Sequence, residues 1–274
     1  MVHLDRILVY PIKSLDGVSV DEAELVTNGG LEWDRRYTIL DDEGRYVNGK
    51  REPSIHRLQT RYDLERATVT VGERTSGKSA GRRPGAGQTF HLDVDRRSIE
   101  EWLTDFFGYS VEIKREADGG FPDDMNAAGP TVLSTSTLAA VADWFDGIDA
   151  DEMRRRLRAN LEIGGVEPFW EDRLYDEPGG VVPFDVGQIR LTGVSPCQRC
   201  VVPTRDPDTG EVTEGFRETF VERREATLPT WANDAWFDHY FRLMVNTHVP
   251  ESSWGSHIEV GDDVSVFDPV SAPE

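Results

Sequence analysis

Lysine is almost missing from this chain, and cysteine nearly so. Four lysines (Lys13, Lys50, Lys78, Lys114) stand against 26 arginines, and the net charge is −21. So acidic a surface excludes nucleic acid as a partner, because binding phosphates needs a basic face. It also argues against an anionic membrane surface. An acidic, lysine-poor exterior suits a salt-filled cytoplasm, where screening weakens self-repulsion. The expectation is a cytoplasmic protein of a halophilic microbe; the alternative is an ordinary acidic protein. No run of about 18 apolar residues occurs, so no transmembrane helix is expected. The opening MVHLDRILVYPIKSLDG has no long apolar h-region and no small-residue cleavage site, and reads as a first strand rather than a signal peptide. The six histidines are scattered singly, with no H-x₃₋₅-H pair, and no G-x-G-x-x-G is present.

What is there suffices for a core: apolar residues make up 38% of the chain and aromatics 9%. Residues 1–70 read as short strands, with DDEG as a hairpin turn between YTIL and RYV. Residues 75–88 are rich in Gly, Ser, Pro and Arg and read as a loop or insertion. In DVDRRSIEEWLTDFFG, Ile99, Trp102, Leu103 and Phe106 fall at helical spacing and Gly108 stops the run. The polar stretch 116–130, EADGGFPDDMNAAGP, is either a domain boundary or a loop over a site. STSTLAAVADWF reads as a capped helix, and DADEMRRRLRANLEIGG as an Arg-rich helix running into a strand. VGQIRLTGV is a strand that delivers the cysteines, and GSHIEVGDDVSVF a closing strand pair. Five aromatics in PTWANDAWFDHYF serve a core or a substrate mouth, with the core favoured. The order lacks regular β-α-β alternation. The expected class is α+β, mostly β, with barrel-like architecture and peripheral helices.

Both cysteines lie in SPCQRCVVPTRDPDTGE, residues 195–211. A Cys197–Cys200 disulfide closes a very short loop and stabilises little, and the expected compartment is reducing. Zinc usually needs a second close pair of ligands. A redox dithiol wants a helix after C-x-x-C, whereas VVPT suggests a strand. The remaining reading is a thiolate ligand to a soft metal, with the Arg199 charge favouring the thiolate.

PCQRC followed by TRDPDTGEV resembles the core of MOSC-domain proteins, in the branch that includes the mitochondrial amidoxime-reducing component. YPIKSLDGVSV (10–20) resembles the opening of that family's N-terminal β-barrel domain, and residues 29–53 its next element. LRANLEI (157–163) is similar to the family's R-P-N-I-V segment with Ala159 in place of proline. FWEDR (169–173) and IEVGDDVSV resemble later elements. The resemblance implies an N-terminal β-barrel-like domain, 1–118, packed on a β-barrel MOSC domain, 119–274. It implies a molybdenum cofactor (molybdopterin) whose metal is held by Cys200, with Cys197 nearby. The cofactor is anionic and needs a local cationic pocket. Lys13, Ser14, Arg35, Arg158 and Arg199 are matched to that task, Ser134 and Thr135 could donate from a helix start, and Asn160 could reach the pterin edge.

Each has a plainer reading: Lys13 as a strand-end charge, Arg35 as a surface charge, Arg154–Arg158 as a helix face paired with Asp151 and Glu152, and Ser134 as a cap. Asp206 and Asp208 read as a turn. The implied activity is reduction of N-hydroxylated or related N–O or S–O small molecules by oxygen-atom transfer. Electrons come from a separate ferredoxin-, flavin- or cytochrome-type protein, since no flavin, haem or iron–sulfur motif is seen. The alternative is a persulfide or cofactor carrier without turnover.

Overall fold

The computed structural model describes residues 1–74 and 87–272; the stretch expected as an insertion lies largely outside them. In chain order the elements are β1 (His3–Val9), β2 (Val18–Val20), β3 (Glu22–Glu24), β4 (Tyr37–Asp41), β5 (Leu58–Asp63), β6 (Thr68–Glu73), β7 (Gln88–His91), α1 (Arg96–Phe107) and β8 (Val111–Arg115). They continue with β9 (Val132–Ser134), α2 (Thr135–Ala142), α3 (Ala150–Leu157), β10 (Leu161–Gly164), β11 (Gly180–Val186) and β12 (Ile189–Gln198). The last are α4 (Phe216–Ala226), β13 (Arg242–His248), β14 (His257–Glu259), β15 (Val264–Val266) and β16 (Val270–Ser271). The class is α+β, mostly β.

Nine strands form one mixed sheet in the order β15-β11-β12-β13-β9-β10-β1-β2, with β16 beside β11. Only the β9–β10 pair in it is parallel. The strand path does not close into the expected barrel. The start of β1 and the approach to β15 are tied by a His3–Asp263 bridge and by backbone bonds from Leu4 to Asp262 (2.8 Å) and from Val264 to Val2 (3.1 Å). Leu4, Ile7, Val132, Phe184, Leu191 and Val245 are among the apolar side chains buried on this sheet.

A second core lies between the β4-β8 ribbon, the β5-β6-β7 meander and α1. These two small sheets are not joined by strand pairing among the described residues, so no closed barrel forms here either. Ile99 and Leu103 of α1 are fully buried in it, and the helix ends where Gly108 turns left-handed at φ 77°. Tyr37 and Ile39 of β4 join them.

The DDEG turn forms, with Asp41 and Arg45 hydrogen-bonded across it. Its second arm is only a bridge at Tyr46, however, and the true strand partner of β4 is β8. The expected closing pair also divides: β14 pairs with β3, and β15 with β11. VVPT is not a strand but a 3-10 turn, Val202–Thr204, where the fixed φ of Pro203 suits the first helical positions.

A third core holds Phe216, Phe220 and Phe241 against α2 and α3. Trp236 and Phe237 pack on the large sheet's core, which agrees with the core reading of the 229–241 aromatics.

Candidate active site

Three chain features aim side chains into one cleft of about 640 Å³. The first is the exit of β1, where Tyr10, Lys13 and Ser14 follow the buried Val9; Ser14 adopts φ 77° as the chain turns. The second is the end of α3. Asp149 caps its start by accepting from the Glu152 amide, and Arg158 ends it at φ 59°, in the left-handed region. That turn directs Arg158 over the Tyr10 ring, 4.0 Å from the centroid. The third is the end of β12. Its register against β13 shifts at Gly193/Ser195 and again at Pro196/Gln198, where proline supplies no ladder donor. The chain then leaves the sheet with Cys197 and Cys200 at the cleft wall.

The cysteines are unbridged. Arg199 turns away from its neighbour Cys200: its Nη1 donates to Cys197 Sγ at 3.4 Å and its Nη2 to the Leu157 carbonyl at 2.8 Å. Cys200 lines the cleft and makes no hydrogen bond among the described residues, while Cys197 is held against Arg199.

The cleft reverses the sign of the protein. Ten Lys or Arg residues line it against five Asp, in a chain of net charge −21. Several of these cations are matched by carboxylates. Arg155 grips Asp208 with two bonds (2.6 and 3.0 Å), and Arg74 pairs with Asp16 (2.5 Å). Arg35 pairs with Asp34 and reaches Asn160 Oδ1 at 3.4 Å. Burial opposes the charge of Arg35, but Asp34 and Asp123 outweigh it and hold the guanidinium charged. Asn160 is buried and fixed: its Nδ2 donates to the Leu8 carbonyl, and its Oδ1 accepts from the Thr131 amide and hydroxyl.

Of the residues singled out in the sequence, Lys13, Ser14, Arg35, Arg158, Asn160, Arg199 and Cys200 line this cleft together. Ser134 and Thr135 do not. Ser134 is fully buried, capping α2 through the Thr137 amide, and its own amide donates to Glu171. Thr135 reaches the Ile163 carbonyl at 3.4 Å. Asp206 makes the expected turn, accepting from the amides of Asp208 and Thr209.

Sequence reasoning missed Tyr10, Arg74, Asp123 and His56. Tyr10 lies beneath Arg158 and Arg35, its hydroxyl donating to the Ala159 carbonyl at 3.1 Å, and burial pushes its pKa up to about 12. His56 has a buried, unpartnered Nε2. Burial, with Arg158, Arg205 and Arg74 nearby, lowers its pKa to about 4, so it stands neutral. Two of the four lie in stretches the sequence marks: Tyr10 opens YPIKSLDGVSV, and Asp123 lies in the polar connection 116–130.

Residues 1–111 match the family described as MOSC N-terminal beta barrel domain, and residues 131–265 match the MOSC domain. The chain carries a MOSC N-terminal domain and a MOSC domain. A zebrafish (Danio rerio) relative, mitochondrial amidoxime-reducing component 1, is 26% identical over 75% of this chain and 69% of its own length. The Homo sapiens protein of the same name is 26% identical over 75% and 66%. The Homo sapiens molybdenum cofactor sulfurase is 23% identical over 81% of this chain, which spans only 29% of that protein. Among solved structures, the YUAD protein from Bacillus subtilis aligns over 97% of this chain and 96% of its own, at 11% identity and a TM-score of 0.39.

The donor set fits an anionic, metal-bearing cofactor. No group of three or more His, Cys, Asp or Glu among the described residues is placed to hold a metal ion, so a metal at Cys200 would need its further ligands from the group that carries it. The buried Nε atoms of Arg155, Arg199 and Arg205 have no hydrogen-bond partner among the described residues and leave donor capacity around the same cleft. Among the described residues no helix is long and apolar enough to cross a membrane.

Proposed function

We propose that this chain is a molybdenum-cofactor-dependent oxidoreductase of the cytoplasm that reduces N-hydroxylated or related N–O or S–O small molecules. Electrons are supplied by a separate donor protein, and neither nucleic acid nor membrane is a partner. The observation that carries the reading is a cationic cleft in an otherwise strongly acidic chain, with a free thiol, Cys200, on its wall. When bound, the cofactor supplies two-electron oxygen-atom transfer.

The residues supply the rest. Cys200 Sγ is the metal ligand. Lys13, Arg35 and Arg158 neutralise the cofactor's phosphate, two of them as guanidinium forks. Tyr10 holds Arg158 flat by a cation–π contact, so the fork arrives oriented. Asn160, buried and fixed by Leu8 and Thr131 beside the cleft, would use its remaining amide N–H toward the pterin edge. Arg199 keeps Cys197 engaged, which leaves Cys200 as the thiol available to the metal. We place the division between the two domains at 118/119, inside the connection that borders the cleft.

A second reading, a sulfur or cofactor carrier without turnover, is favoured by the alignment with molybdenum cofactor sulfurase along 81% of this chain. Elemental analysis separates the readings. Protein purified in high salt from a cofactor-competent host should contain about one molybdenum and one pterin per chain. Cys200→Ala should contain no molybdenum, and Cys197→Ala should retain it. Metal together with reduction of an N-hydroxylated amidine supports the oxidoreductase; metal without turnover supports the carrier. Wild-type protein without molybdenum despite cofactor supply sinks the first reading.

A further inference from the structure

The connection 116–130 lines one side of the cleft and brings a negative charge to two of its cations. Asp123 Oδ1 lies 2.9 Å from Lys13 Nζ, and Oδ2 lies 3.5 Å from Arg35 Nε. Lys13 also donates to the carbonyls of Phe121 (2.9 Å) and Pro122 (3.3 Å), so one ammonium holds three successive residues of the strap. Partial desolvation of this largely exposed carboxylate works against its charge, yet Arg35, Lys13 and Arg158 outweigh it and keep the carboxyl down at about 2. These are the three cations assigned above to a phosphate. A carboxylate of the protein's own stands where that anion would bind.

The strap is built to carry such a charge and to let it go. Its near end is pinned. Gly120, at φ 65°, sits under the Asp34 and Arg35 carbonyls, where a Cβ would come within 2.8 Å, and Asn28 Nδ2 donates to the Gly119 carbonyl. The Phe121 amide donates to the Arg35 carbonyl at 2.9 Å. The far end is pinned at Gly129, whose amide donates to the Thr247 carbonyl. Between the two anchors the Asp123 side chain is 68% exposed. Water reaches these pairs from the Asp123 side only, since Lys13 and Arg35 are 11% and 14% exposed, and a divalent oxyanion that meets all three cations outcompetes a single carboxylate.

We infer that the strap 116–130 is a self-plug. Asp123 occupies the anion position between Lys13 and Arg35, and a phosphate-bearing ligand enters by displacing it. The plug keeps three clustered cations from repelling one another while the cleft is free, and it sets a threshold that chloride or a monovalent carboxylate does not pass. The inference rests on the anion-binding part of the function proposed above and not on molybdenum.

The test uses the full chain without cofactor, titrated calorimetrically with inorganic phosphate at fixed salt and pH 7.5. Asp123→Asn keeps the shape and removes the charge. It should bind phosphate about fivefold more tightly than wild type, the size expected from releasing two ion pairs open to water on the carboxylate side. In wild type, phosphate should also accelerate hydrogen exchange in peptides covering 121–126. Equal or weaker binding by Asp123→Asn overturns the plug, and so does a strap whose exchange ignores phosphate. Absence of phosphate binding in both proteins overturns it as well, while leaving the molybdenum measurement to decide the function on its own.

Discussion

Two titratable side chains in this fold respond to pH in opposite directions. His56 is buried beside Arg158, Arg205 and Arg74, which brings its pKa from 6.5 to about 4. Between those values the unfolded chain binds the proton and the folded one does not. Its contribution to stability is therefore complete above about 6.5 and drains away as the pH falls towards about 4. Glu171 is the reverse case. Burial and the neighbouring Asp172 raise it from 4.5 to about 7. The folded state keeps a proton that the unfolded state has lost, so this contribution is complete below 4.5 and is lost as the pH rises through about 7. From pH 4.5 to 6.5 the two oppose each other. Relative to wild type, His56→Gln should lose ground as the pH rises through that range, and Glu171→Gln should gain, each by at most about 1.4 kcal/mol per pH unit. Urea midpoints at constant salt measure both; curves that stay parallel to wild type would refute the assignment. The sequence signalled one of the two. FWEDR was matched as a motif, but nothing in SIHR announces a histidine wedged against Gly49 and within reach of three arginines from distant parts of the chain. Lys13, Arg35, Arg158 and Cys200 were legible because each sits in a short contiguous motif. Tyr10 and Asp123 were not, because their roles depend on Arg158 and Lys13, each more than a hundred residues away.

Delivery of the thiol depends on one strand, β12, and on one glycine within it. A Cβ built at Gly193 would lie 1.7 Å from the Leu174 carbonyl, at a point where the 3-10 turn Trp170–Leu174 packs on the sheet. Backbone meets backbone there, so no side-chain rotation relieves the clash. Gly193→Ala should destabilise the protein by about 1–3 kcal/mol or more, the range of overpacked cores, and should weaken phosphate binding in the cleft ahead of global unfolding because the strand shifts upstream of Cys200. A denaturant midpoint unchanged from wild type would remove Gly193 from this role. Helices were the elements most readable beforehand: α1 showed its apolar stripe and its glycine stop, and α3 its acidic start and arginine-rich end. Strands were readable as strands but not as partners. Alternation in GSHIEVGDDVSV marks β14 and β15 correctly, yet pairing is decided by where the rest of the chain lies. β14 joins β3, some 230 residues earlier, and β15 joins β11. The same limit explains the turn after β4, whose strand partner arrives only after α1.

At the scale of the whole molecule, one physical variable acts on the surface and the cleft with opposite results. The exterior carries an excess of like charge, −21 in total, and salt relieves its self-repulsion. The cleft gathers ten cations against five aspartates, and salt weakens its hold on an anion. Screening shortens the reach of both fields, from about 8 Å at 0.15 M to about 3 Å at 1 M. Raising sodium chloride from 0.15 to 1 M should therefore raise Tm, by about 2–4 °C for each kcal/mol of repulsion relieved, while phosphate affinity falls over the same interval. The two trends come from separate regions, so charge substitutions should separate them. Replacing exposed acids far from the cleft, such as Glu65 and Glu222, with glutamine should flatten the Tm dependence and leave phosphate binding as in wild type. Asp123→Asn should change phosphate binding and leave the slope of Tm against salt nearly unaltered, since it removes one charge of many. Thermal unfolding followed in parallel with phosphate titration across that salt range provides the check. A Tm indifferent to salt would mean that the acidic exterior is already balanced locally by its arginine pairs, and would withdraw the halophilic reading of the composition.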